Sequence, residues 1–457
     1  MATLVEPERR IPLVETYDVV VAGGGTAGII ATVAARRMGA RVLLLERGGF
    51  LGGHLAAQLL EHSAGWFDAN GRPIVGGIPD ELVARLVSVG ASPGHIRDDT
   101  GYTRFRLPIN HEELKSIVTA WIAESGADFL LFSPACAAQS KGGALRAVIV
   151  ENKSGRTAYA AKAFVDCTGD ADVAALAGCE MLSSGGTGAT QPVSLLFKLG
   201  GVDHARMLDY VEANPTEFRL GVAPTELRSR EFINLWGFGE LLRRAHRDGV
   251  MSLERNELHH SGNCRTGEAV INLTRQAADA TRAEEIASAE VQLRRQVLEA
   301  LAFFRRYVPG CERAFLAATA SCVGVRESRR LSGITELTDD DVRTGRQVPD
   351  AIGIGGFPID SHDPRGPSMD GTEPVRQGYG IPYGALVPRR VDGLIVAGRC
   401  ISASRRALAS ARISGTCMAM GQAAGIAAAL SAKTGVPLRD LDVTRLRAHL
   451  RELGAVL

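Results

Sequence analysis

Three glycines near the amino terminus have the spacing of a phosphate-binding turn. Gly23, Gly25 and Gly28 follow the β-branched run YDVVVA, and an apolar helical stretch follows them. In such a turn the first glycine allows a tight bend, the second lets the backbone approach a pyrophosphate, and the third lets helix and strand pack closely. The helix start, with Thr26 and Ala27, adds N–H donors and a positive dipole. The sequence therefore predicts a dinucleotide site.

An acidic residue at the end of the next strand completes this pattern. Glu46 closes RVLLLE (41–46), where a carboxylate can accept hydrogen bonds from ribose hydroxyls. Strand, glycine turn, helix, strand and acid together are far more specific than the glycines alone. This unit does not distinguish NAD from FAD.

Two later segments favour FAD. Residues 165–178 read VDCTGDADVAALAG, and residues 393–425 read GLIVAGRCISASRRALASARISGTCMAMGQAAG. Both resemble the closing motifs of flavoproteins with the glutathione-reductase-type FAD fold. There a strand followed by Thr-Gly-Asp returns to the cofactor, and a carboxyl-terminal strand followed by Gly-Arg reaches the flavin ribityl chain.

Three further segments narrow the resemblance. GVRESRRLSG (324–333), PIDSHDP (358–364) and IPYGALVP (381–388) are similar to the group called FAD-dependent oxidoreductases. This group is related to the fumarate reductase and succinate dehydrogenase flavoproteins. The resemblance runs from about residue 15 to 450. It is specific for fold and cofactor, FAD, but not for substrate.

The resemblance assigns cofactor contacts to residues spread along the chain. They are Gly23, Gly25, Thr26, Ala27 and Gly28 at the pyrophosphate, Glu46 at the adenosine ribose with Arg47 beside it, the segment around Cys136 along the adenine, Thr168, Gly169 and Asp170 toward the pyrophosphate, and Gly398 and Arg399 at the ribityl chain. For Asp170 and Asp172 a second interpretation is open, because acids are favoured at the amino end of a helix such as DVAALAG.

A histidine follows the glycine pair Gly52-Gly53 in ERGGFLGGHLAAQ (46–58). In the related flavoproteins this pair passes under the flavin, and the residue eight positions after the ribose-binding acid faces the dimethylbenzene edge. Here that residue is His54. In the succinate dehydrogenase type it is a histidine bonded covalently to the flavin, whereas Gly52-Gly53 follows the non-covalent pattern. We expect His54 against the flavin and leave covalent attachment through it open; an ordinary loop histidine is the alternative.

Arg412 is a candidate for substrate binding. It matches the arginine that binds a substrate carboxylate in the fumarate reductase relatives, and a guanidinium holds a carboxylate through two parallel hydrogen bonds. A structural ion pair is the alternative. The next helix is predicted to start near Gly415 and Thr416, so its positive end would favour the reduced flavin. Leu408 stands where these relatives carry a histidine, which argues against succinate or fumarate as the substrate.

Three more arginines, Arg326, Arg329 and Arg330, lie in the charged run RESRR (326–330). We expect Arg326 or Arg330 to line the active site. In the alternative, Glu327 simply neutralises its neighbours.

His362 and Tyr383 are candidates for proton transfer, because oxidation by a flavin needs a base for a hydroxyl or amine proton. For His362, a hydrogen bond to Asp360 or Asp363 is the alternative. The pair His259-His260 lacks a third ligand at metal spacing, so no metal is predicted. No GxSxG motif supports a serine nucleophile, and Cys167 and Cys400 are expected to be buried.

The elements that must position these residues indicate an α/β fold. Strands are predicted at 17–22, 41–46, 129–132, 144–151, 163–167 and 394–397, and a long helix is predicted at 282–306. The Gly-, Pro- and Asp-rich residues 352–384 are predicted to form an ordered long loop or a domain crossover. The predicted fold is a Rossmann-like FAD-binding domain of the glutathione-reductase type with an inserted α+β substrate or cap domain. The expected boundaries are 15–200 and 376–457 for the FAD-binding domain and 201–375 for the inserted one.

Composition limits the classes of partner and compartment. The 457 residues carry a net charge of +1 without long runs of one sign, which argues against nucleic acid and anionic membranes. The eight cysteines form no CxxC pair, and the amino terminus lacks the apolar region of an export signal. We expect a soluble cytoplasmic protein with reduced thiols and a small-molecule substrate. No sustained heptad is present, so the oligomeric state is open.

These features lead to one principal functional hypothesis. The chain is expected to be an FAD-dependent dehydrogenase or oxidase that transfers a hydride between the flavin and a small, carboxylate-bearing organic substrate. A flavin monooxygenase is an alternative, although no second GxGxxG is present for NAD(P)H. A flavin-bearing accessory protein of RNA modification is another, against which the balanced charge argues.

Overall fold

A five-stranded parallel sheet, called the parallel sheet below, organises the first part of the molecule. The computed structural model describes residues 3–6, 8–182, 190–363 and 369–457. The strands of the parallel sheet follow in space the order Leu394–Val396, Ala163–Asp166, Val19–Ala22, Val42–Leu45 and Asp128–Leu130. The first four are buried at every residue, which explains why they are apolar except for Asp166. The predicted strands are confirmed with bounds that differ by one or two residues.

Two helices, Thr26–Arg37 and Ser414–Thr434, pack against each other beside the parallel sheet. Their close approach depends on glycine. A Cβ on Gly421 would lie 2.2 Å from the carbonyl oxygen of Ala27, and Gly425 meets Ala31 in the same way. The long carboxyl-terminal helix therefore helps to fix the helix that carries the glycine turn.

Smaller elements surround this centre. The remaining helices of the first part are Gly53–Ala57, Ile78–Ser88, His111–Glu124, Asp172–Leu176, Asp339–Thr344, Arg405–Ala411 and Val443–Glu452, with 3-10 turns at Tyr383–Ala385 and Leu438–Asp440. Its further sheets include the four-stranded Leu13–Val14, Gly155–Ala160, Ala144–Asn152 and Ala135–Lys141, the three-stranded His62–Ser63, Phe105–Pro108 and Ile96–Arg97, and the pair Met181–Leu182 with Arg330–Leu331. Two more strand pairs are described below.

A five-stranded antiparallel sheet, called the antiparallel sheet below, forms the second part. Its strands follow the order Phe232–Gly237, Leu258–Asn263, Glu268–Asn272, Phe197–Gly200 and Phe315–Thr319. It is accompanied by helices His204–Ala213, Gly239–Arg247 and Ala283–Tyr307 and by 3-10 helices Pro215–Glu217 and Pro224–Ser229. The predicted long helix is confirmed to within one residue at each end, and the inserted part combines helices with a sheet, as an α+β domain does.

The two hydrophobic cores indicate a shorter inserted part than the predicted 201–375. One core takes its buried residues from between Val193 and Val323. The other takes them from both flanks, including Leu331 and Val375. Leu331 and Val375, which lie in the range expected for the inserted domain, therefore pack in the core of the parallel sheet.

The predicted long loop at 352–384 is wrong in the described residues. Strand Ala351–Gly355 pairs with Tyr379–Pro382, and Ile359–His362 pairs with Met369–Glu373. Tyr379 and Ile359 are fully buried. Burial against the first core outweighs the weak strand preference of glycine and proline, which acts only locally.

No individual helix in the described ranges combines the length and apolar composition of a membrane span, although helices Arg405–Ala411 and Ser414–Thr434, bent by 92°, do so as a pair. All eight cysteines are free thiols, as predicted.

Candidate functional site

A cavity of about 740 Å³ lies between the parallel and antiparallel sheets. The predicted site residues on its wall are Gly23, Gly25, Thr26, Ala27, Glu46, Arg47, Gly53, His54, Thr168, Gly169, Arg326, His362, Gly398, Arg399 and Arg412. The other predicted residues, which do not line it, are Gly28, Gly52, Cys136, Asp170, Arg330, Tyr383, Gly415 and Thr416.

The glycine turn leaves no room for a side chain at Gly23 or Gly28. Gly23 has a φ of +97°, and a Cβ on it would lie 2.4 Å from the carbonyl oxygen of Cys167. A Cβ on Gly28 would lie 1.8 Å from the carbonyl oxygen of Gly23, so Gly28 packs helix on strand behind the wall. Helix Thr26–Arg37 starts after Gly25, which offers no side-chain cap. The uncapped first-turn N–H groups, at the positive helix end, suit a phosphate.

Glu46 follows strand Val42–Leu45 with its carboxylate held in place. Its two oxygens accept hydrogen bonds from the N–H groups of Gly24 and Gly48, both at 2.6 Å. Each oxygen has further acceptor capacity, so Glu46 can still receive ribose hydroxyls at the cavity wall.

At the predicted adenine end, the wall is formed by Ser133, Pro134 and Ala135. Cys136 is exposed, and its thiol donates to the carbonyl oxygen of Ile149 at 3.3 Å. Successive side chains of a strand point to opposite faces, so Ala135 and Cys136 do not face the cavity together. The segment therefore reaches the cavity through Ser133, Pro134 and Ala135, whereas the thiol of Cys136 does not.

Asp170 holds Arg399 rather than facing the cavity or capping a helix. Its Oδ1 accepts from Arg399 at 2.7 Å and from Ser328 at 2.6 Å. Burial alone would raise the pKa of Asp170, but the charge of Arg399 and these hydrogen bonds lower it to about 2. The N-cap of helix Asp172–Leu176 is Ala171, without a side-chain hydrogen bond. The capping interpretation of Asp170 is therefore wrong, and the ionised carboxylate aims Arg399 at the cavity.

His54 stands on the wall in the short helix Gly53–Ala57. Gly52, at φ +115°, makes the bend before it. Burial and the nearby charge of Arg399 lower the pKa of His54 to about 4, so its imidazole is neutral at pH 7. A neutral ring nitrogen is the form able to bond to an electrophilic carbon.

The start of helix Ser414–Thr434 marks the opposite end of the cavity. Ile413, Ser414 and Cys417 line the wall together with Arg412. Gly415 and Thr416, which were expected near the flavin, do not line the cavity. Gly415 packs against the backbone of Gly65, and Thr416 is fully buried. The 21-residue helix nevertheless directs its positive end at this part of the cavity.

Two arginines and one carboxylate meet at this end. Arg412 donates from Nη2 to the backbone oxygen of Asp360 at 3.1 Å and to its Oδ2 at 3.3 Å. Arg326 donates to the carbonyl oxygen of Pro192 at 2.7 Å. Burial lowers the pKa of Arg326 to about 9, and the charge of Arg412 adds to the shift. Burial would raise the pKa of Asp360, but His362 and both arginines hold it well below its usual range.

Both ring nitrogens of His362 are engaged. Arg275 donates to Nδ1 at 3.1 Å, so Nε2 carries the proton and donates to Asp360 at 3.2 Å. Burial lowers the pKa of His362 to about 4, although Asp360 opposes this. The alternative interpretation, a hydrogen bond to Asp360, is confirmed, and this histidine is poorly arranged to accept a proton.

Two expected catalytic residues lie away from the cavity. The Tyr383 hydroxyl donates to the carbonyl oxygen of Leu438 at 2.7 Å in the core. The buried Arg330 donates to the carbonyl oxygen of Ala403. Both side chains serve packing, which contradicts their expected roles.

One face of the antiparallel sheet forms a wall that the sequence analysis missed. Register aligns Asn234, Ser261 and Val270 in one row and Trp236, His259 and Asn272 in the next, and all six line the cavity. His260 points to the other face, into the second core, as strand alternation requires. The alternation within LHHSGN was a usable signal, but the partner strands lie too far away in the sequence to be aligned with it.

Aromatic rings close this end. Tyr102 packs edge-on against Trp236 at 5.2 Å and Phe357 at 5.5 Å, and all three line the cavity. Arg219 lies over the rings of Tyr102 and Trp236. Within the described ranges, no cluster of three metal-ligating side chains is found.

The residues present fit FAD. The side-chain-free turn at Gly23 and the uncapped helix start suit a pyrophosphate, and Glu46 suits a ribose. The cavity continues past Arg399 to the start of helix Ser414–Thr434, where an isoalloxazine would meet the wall of the antiparallel sheet.

Comparison with solved structures finds similar folds of low sequence identity. A geranylgeranyl bacteriochlorophyll reductase-like protein from Thermoplasma acidophilum is 14% identical, with 96% of this chain and 83% of that chain covered and a TM-score of 0.46. The p-nitrophenol 4-monooxygenase from Pseudomonas putida DLL-E4 is 12% identical, with 98% of this chain and 87% of that chain covered and a TM-score of 0.45. A myxobacterial chondrochloren halogenase is 14% identical, with 97% of this chain and 79% of that chain covered and a TM-score of 0.45. No curated protein sequence matches the chain.

The sequence model of one family matches nearly the whole length. It is described as FAD dependent oxidoreductase and matches residues 18–450. This agrees with the cavity and with the resemblance of the motifs. The chain is therefore an enzyme that uses FAD, and it belongs to the FAD-dependent oxidoreductase family.

Proposed function

We propose that the enzyme oxidises a small organic substrate bearing a carboxylate, acting as a dehydrogenase or oxidase. The observation that carries this proposal is the charge at the cavity end. Arg326 and Arg412 face the one carboxylate of Asp360 that is found between them in the described residues. When bound, FAD supplies the acceptor for the hydride.

An anionic substrate would relieve the imbalance of charge. Burying two guanidinium groups beside one carboxylate is costly, which is why the pKa of Arg326 falls to about 9. Nε of Arg412 is buried and has no hydrogen-bond partner among the described residues. A substrate carboxylate would accept hydrogen bonds from these N–H groups, and a pair of parallel hydrogen bonds would orient it.

The surroundings support reaction away from water. Tyr102, Trp236 and Phe357 form an aromatic wall beside the arginines. An apolar wall lowers the local dielectric, and the positive end of helix Ser414–Thr434 then acts more strongly on negative charge in the cavity.

Anaerobic reduction of the holoenzyme tests the proposal. We expect members of a panel of 2-hydroxy and 2-amino acids to bleach the flavin absorbance, and the corresponding amides to do so poorly. Arg412→Lys keeps the charge but loses the planar pair of donors, and should weaken binding of the active acid by about 10- to 100-fold.

The matched control is Arg228→Lys, because Arg228 forms surface ion pairs with Asp209 and Glu212. It should behave as wild type. Bleaching by NADPH and by none of the organic compounds would contradict the proposal, as would equal reduction by acids and amides.

A further inference from the structure

A chain of hydrogen bonds leads from a buried carboxylate to the cavity wall. Asp98 accepts from Thr100 at 2.6 Å and from Nδ2 of Asn234 at 2.9 Å. Oδ1 of Asn234 in turn contacts Nε2 of His259. Burial alone would raise the pKa of Asp98, but the hydrogen bonds from Thr100 and Asn234 and the charge of Arg106 lower it. The chain therefore starts from an ionised group.

The order of donors fixes the tautomer of His259. A carboxylate only accepts, so the amide nitrogen of Asn234 must face Asp98 and its oxygen must face His259. An amide oxygen also only accepts, so Nε2 of His259 carries the proton. Nδ1 is then the nitrogen with the free lone pair. Burial lowers the pKa of His259 to about 4, and the neutral ring is the form present at pH 7.

His259 lies at the same end of the cavity as the arginines. The charge of Asp360 acts on both His259 and Arg412. The ring packs against His62 at 5.6 Å, and the neighbour of His62, Ser63, contacts Ser414 at the helix start at 2.6 Å. His259 therefore lies within the electrostatic influence of Asp360 in the proposed carboxylate site and, through His62 and Ser63, near the start of helix Ser414–Thr434.

We propose that His259 is the proton acceptor of the reaction and that Asn234 and Asp98 are positioning residues that fix its tautomer. The inference rests on the proposed function. As the substrate C–H bond breaks, its hydrogen and electron pair pass to FAD. The oxygen or nitrogen bonded to the same carbon loses its proton to Nδ1 of His259. The electron pair of the broken O–H or N–H bond then forms the C=O or C=N bond. His362, with both nitrogens engaged, is not available for this step.

The proposal predicts that the rate of cofactor reduction, plotted against pH, has an acid limb, which means that it falls at low pH. Asp98 and Asp360 favour the protonated ring, whereas burial, Arg106 and the adjacent His62 oppose it. The rate should be constant near neutral pH and fall as His259 becomes protonated in acid.

Stopped-flow reduction of the anaerobic holoenzyme, with an acid that bleaches wild type, tests this role. His259→Ala should slow reduction by about 10²- to 10⁴-fold, lose the acid limb and recover in part with added imidazole, while substrate affinity changes little. Asn234→Ala should slow reduction less. His449→Asn, which changes an exposed histidine, is the matched control and should react as wild type. Flavin absorbance and the melting temperature report whether each variant is folded.

A second measurement does not depend on turnover. In ¹⁵N-histidine-labelled protein, the signal lost in His259→Ala should show a protonated Nε2 and an unprotonated Nδ1, and Asn234→Ala should weaken this preference. A protonated Nδ1, or normal reduction with an unchanged acid limb in His259→Ala, would overturn the inference alone. A wild type that no organic compound reduces would instead overturn the proposed function.

Discussion

The arginines along the cavity differ in how they are paired with carboxylates. Arg399 is held by Asp170 at 2.7 Å and by Ser328 at 2.9 Å, and the more exposed Arg47 lies 3.7 Å from the same carboxylate. Arg326 and Arg412 share Asp360. The first carboxylate aims Arg399 at the cavity, whereas in our proposal the second pair keeps a positive charge for a substrate carboxylate. The carboxylates near each arginine, rather than its residue type, distinguish the two arrangements.

His54 carries a prediction about how the cofactor is attached. Its neutral imidazole faces the cavity, and its pKa of about 4 leaves a ring nitrogen unprotonated at neutral pH. If the nitrogen is bonded to the flavin, acid precipitation should leave the yellow colour in the pellet, and His54→Asn should release it to the supernatant. A colourless pellet from wild type would rule out covalent attachment. His449→Asn is the control, since that histidine lies outside the cavity.

At the scale of elements, the cofactor site depends on one helix pair. Helix Thr26–Arg37 presents the phosphate-binding start, and helix Ser414–Thr434 presents its own start to the opposite end of the cavity. Gly421 and Gly425 let the two backbones approach closely. The spacing of these helices therefore connects the pyrophosphate end to the flavin end.

Gly421→Ala should disturb both ends at once. The added methyl would lie 2.2 Å from the carbonyl oxygen of Ala27, so the helices must separate. We expect a loss of stability of about 1–3 kcal/mol and weaker FAD binding. Urea unfolding and flavin titration of the apoprotein measure the two effects. Gly353→Ala is the matched control, because its methyl would meet only Ala419 at 3.4 Å. Equal behaviour of the two variants would contradict this account of the helix pair.

At the scale of the whole molecule, the enzyme buries an unusual set of neutral histidines. Burial lowers the pKa to about 4 for His54, His111, His204, His259 and His362, and to about 3 for His62. His54, His62, His259 and His362 line the cavity, and His111 and His204 are buried elsewhere. Protonation would require charge in poorly solvated places, so acid should weaken the entire fold.

The sign of the pH dependence follows from the difference in histidine pKa between the folded and the unfolded chain. The unfolded chain protonates these histidines near pH 6.5, whereas the folded chain does so only near 4, so their contribution is complete above about pH 6.5 and is lost toward pH 4. Each group can account for on the order of 3 kcal/mol. Urea unfolding of the holoenzyme between about pH 7.5 and about pH 4.5 should show the fall. His111→Gln should reduce the slope and His449→Gln should not. A free energy of unfolding that is independent of pH would contradict this.

Local sequence was sufficient for the elements of the parallel sheet. The glycine spacing at 23–28 and the unbroken apolar strands each depend on neighbours in the chain, and both are found where predicted. Residues 352–384 were mistaken for a loop, because their strands are stabilised by burial against distant helices. Tyr383 and Arg330 were misassigned for the same reason, since their partners, Leu438 and Ala403, are remote in the sequence.

The sequence by itself determined the fold class and the residues of the glycine turn, because these depend on short-range spacing that any βαβ unit must satisfy. The cofactor followed from the resemblance of several separate motifs to FAD-dependent oxidoreductases, and not from this spacing. Only the tertiary structure decided which charged and polar residues share the flavin end of the cavity. Strand register brings Asn234 and His259 together, and Asp98, 136 residues before Asn234 in the sequence, joins them through a side-chain hydrogen bond. Register is set by burial of one sheet face, a property of the whole molecule that no local pattern encodes.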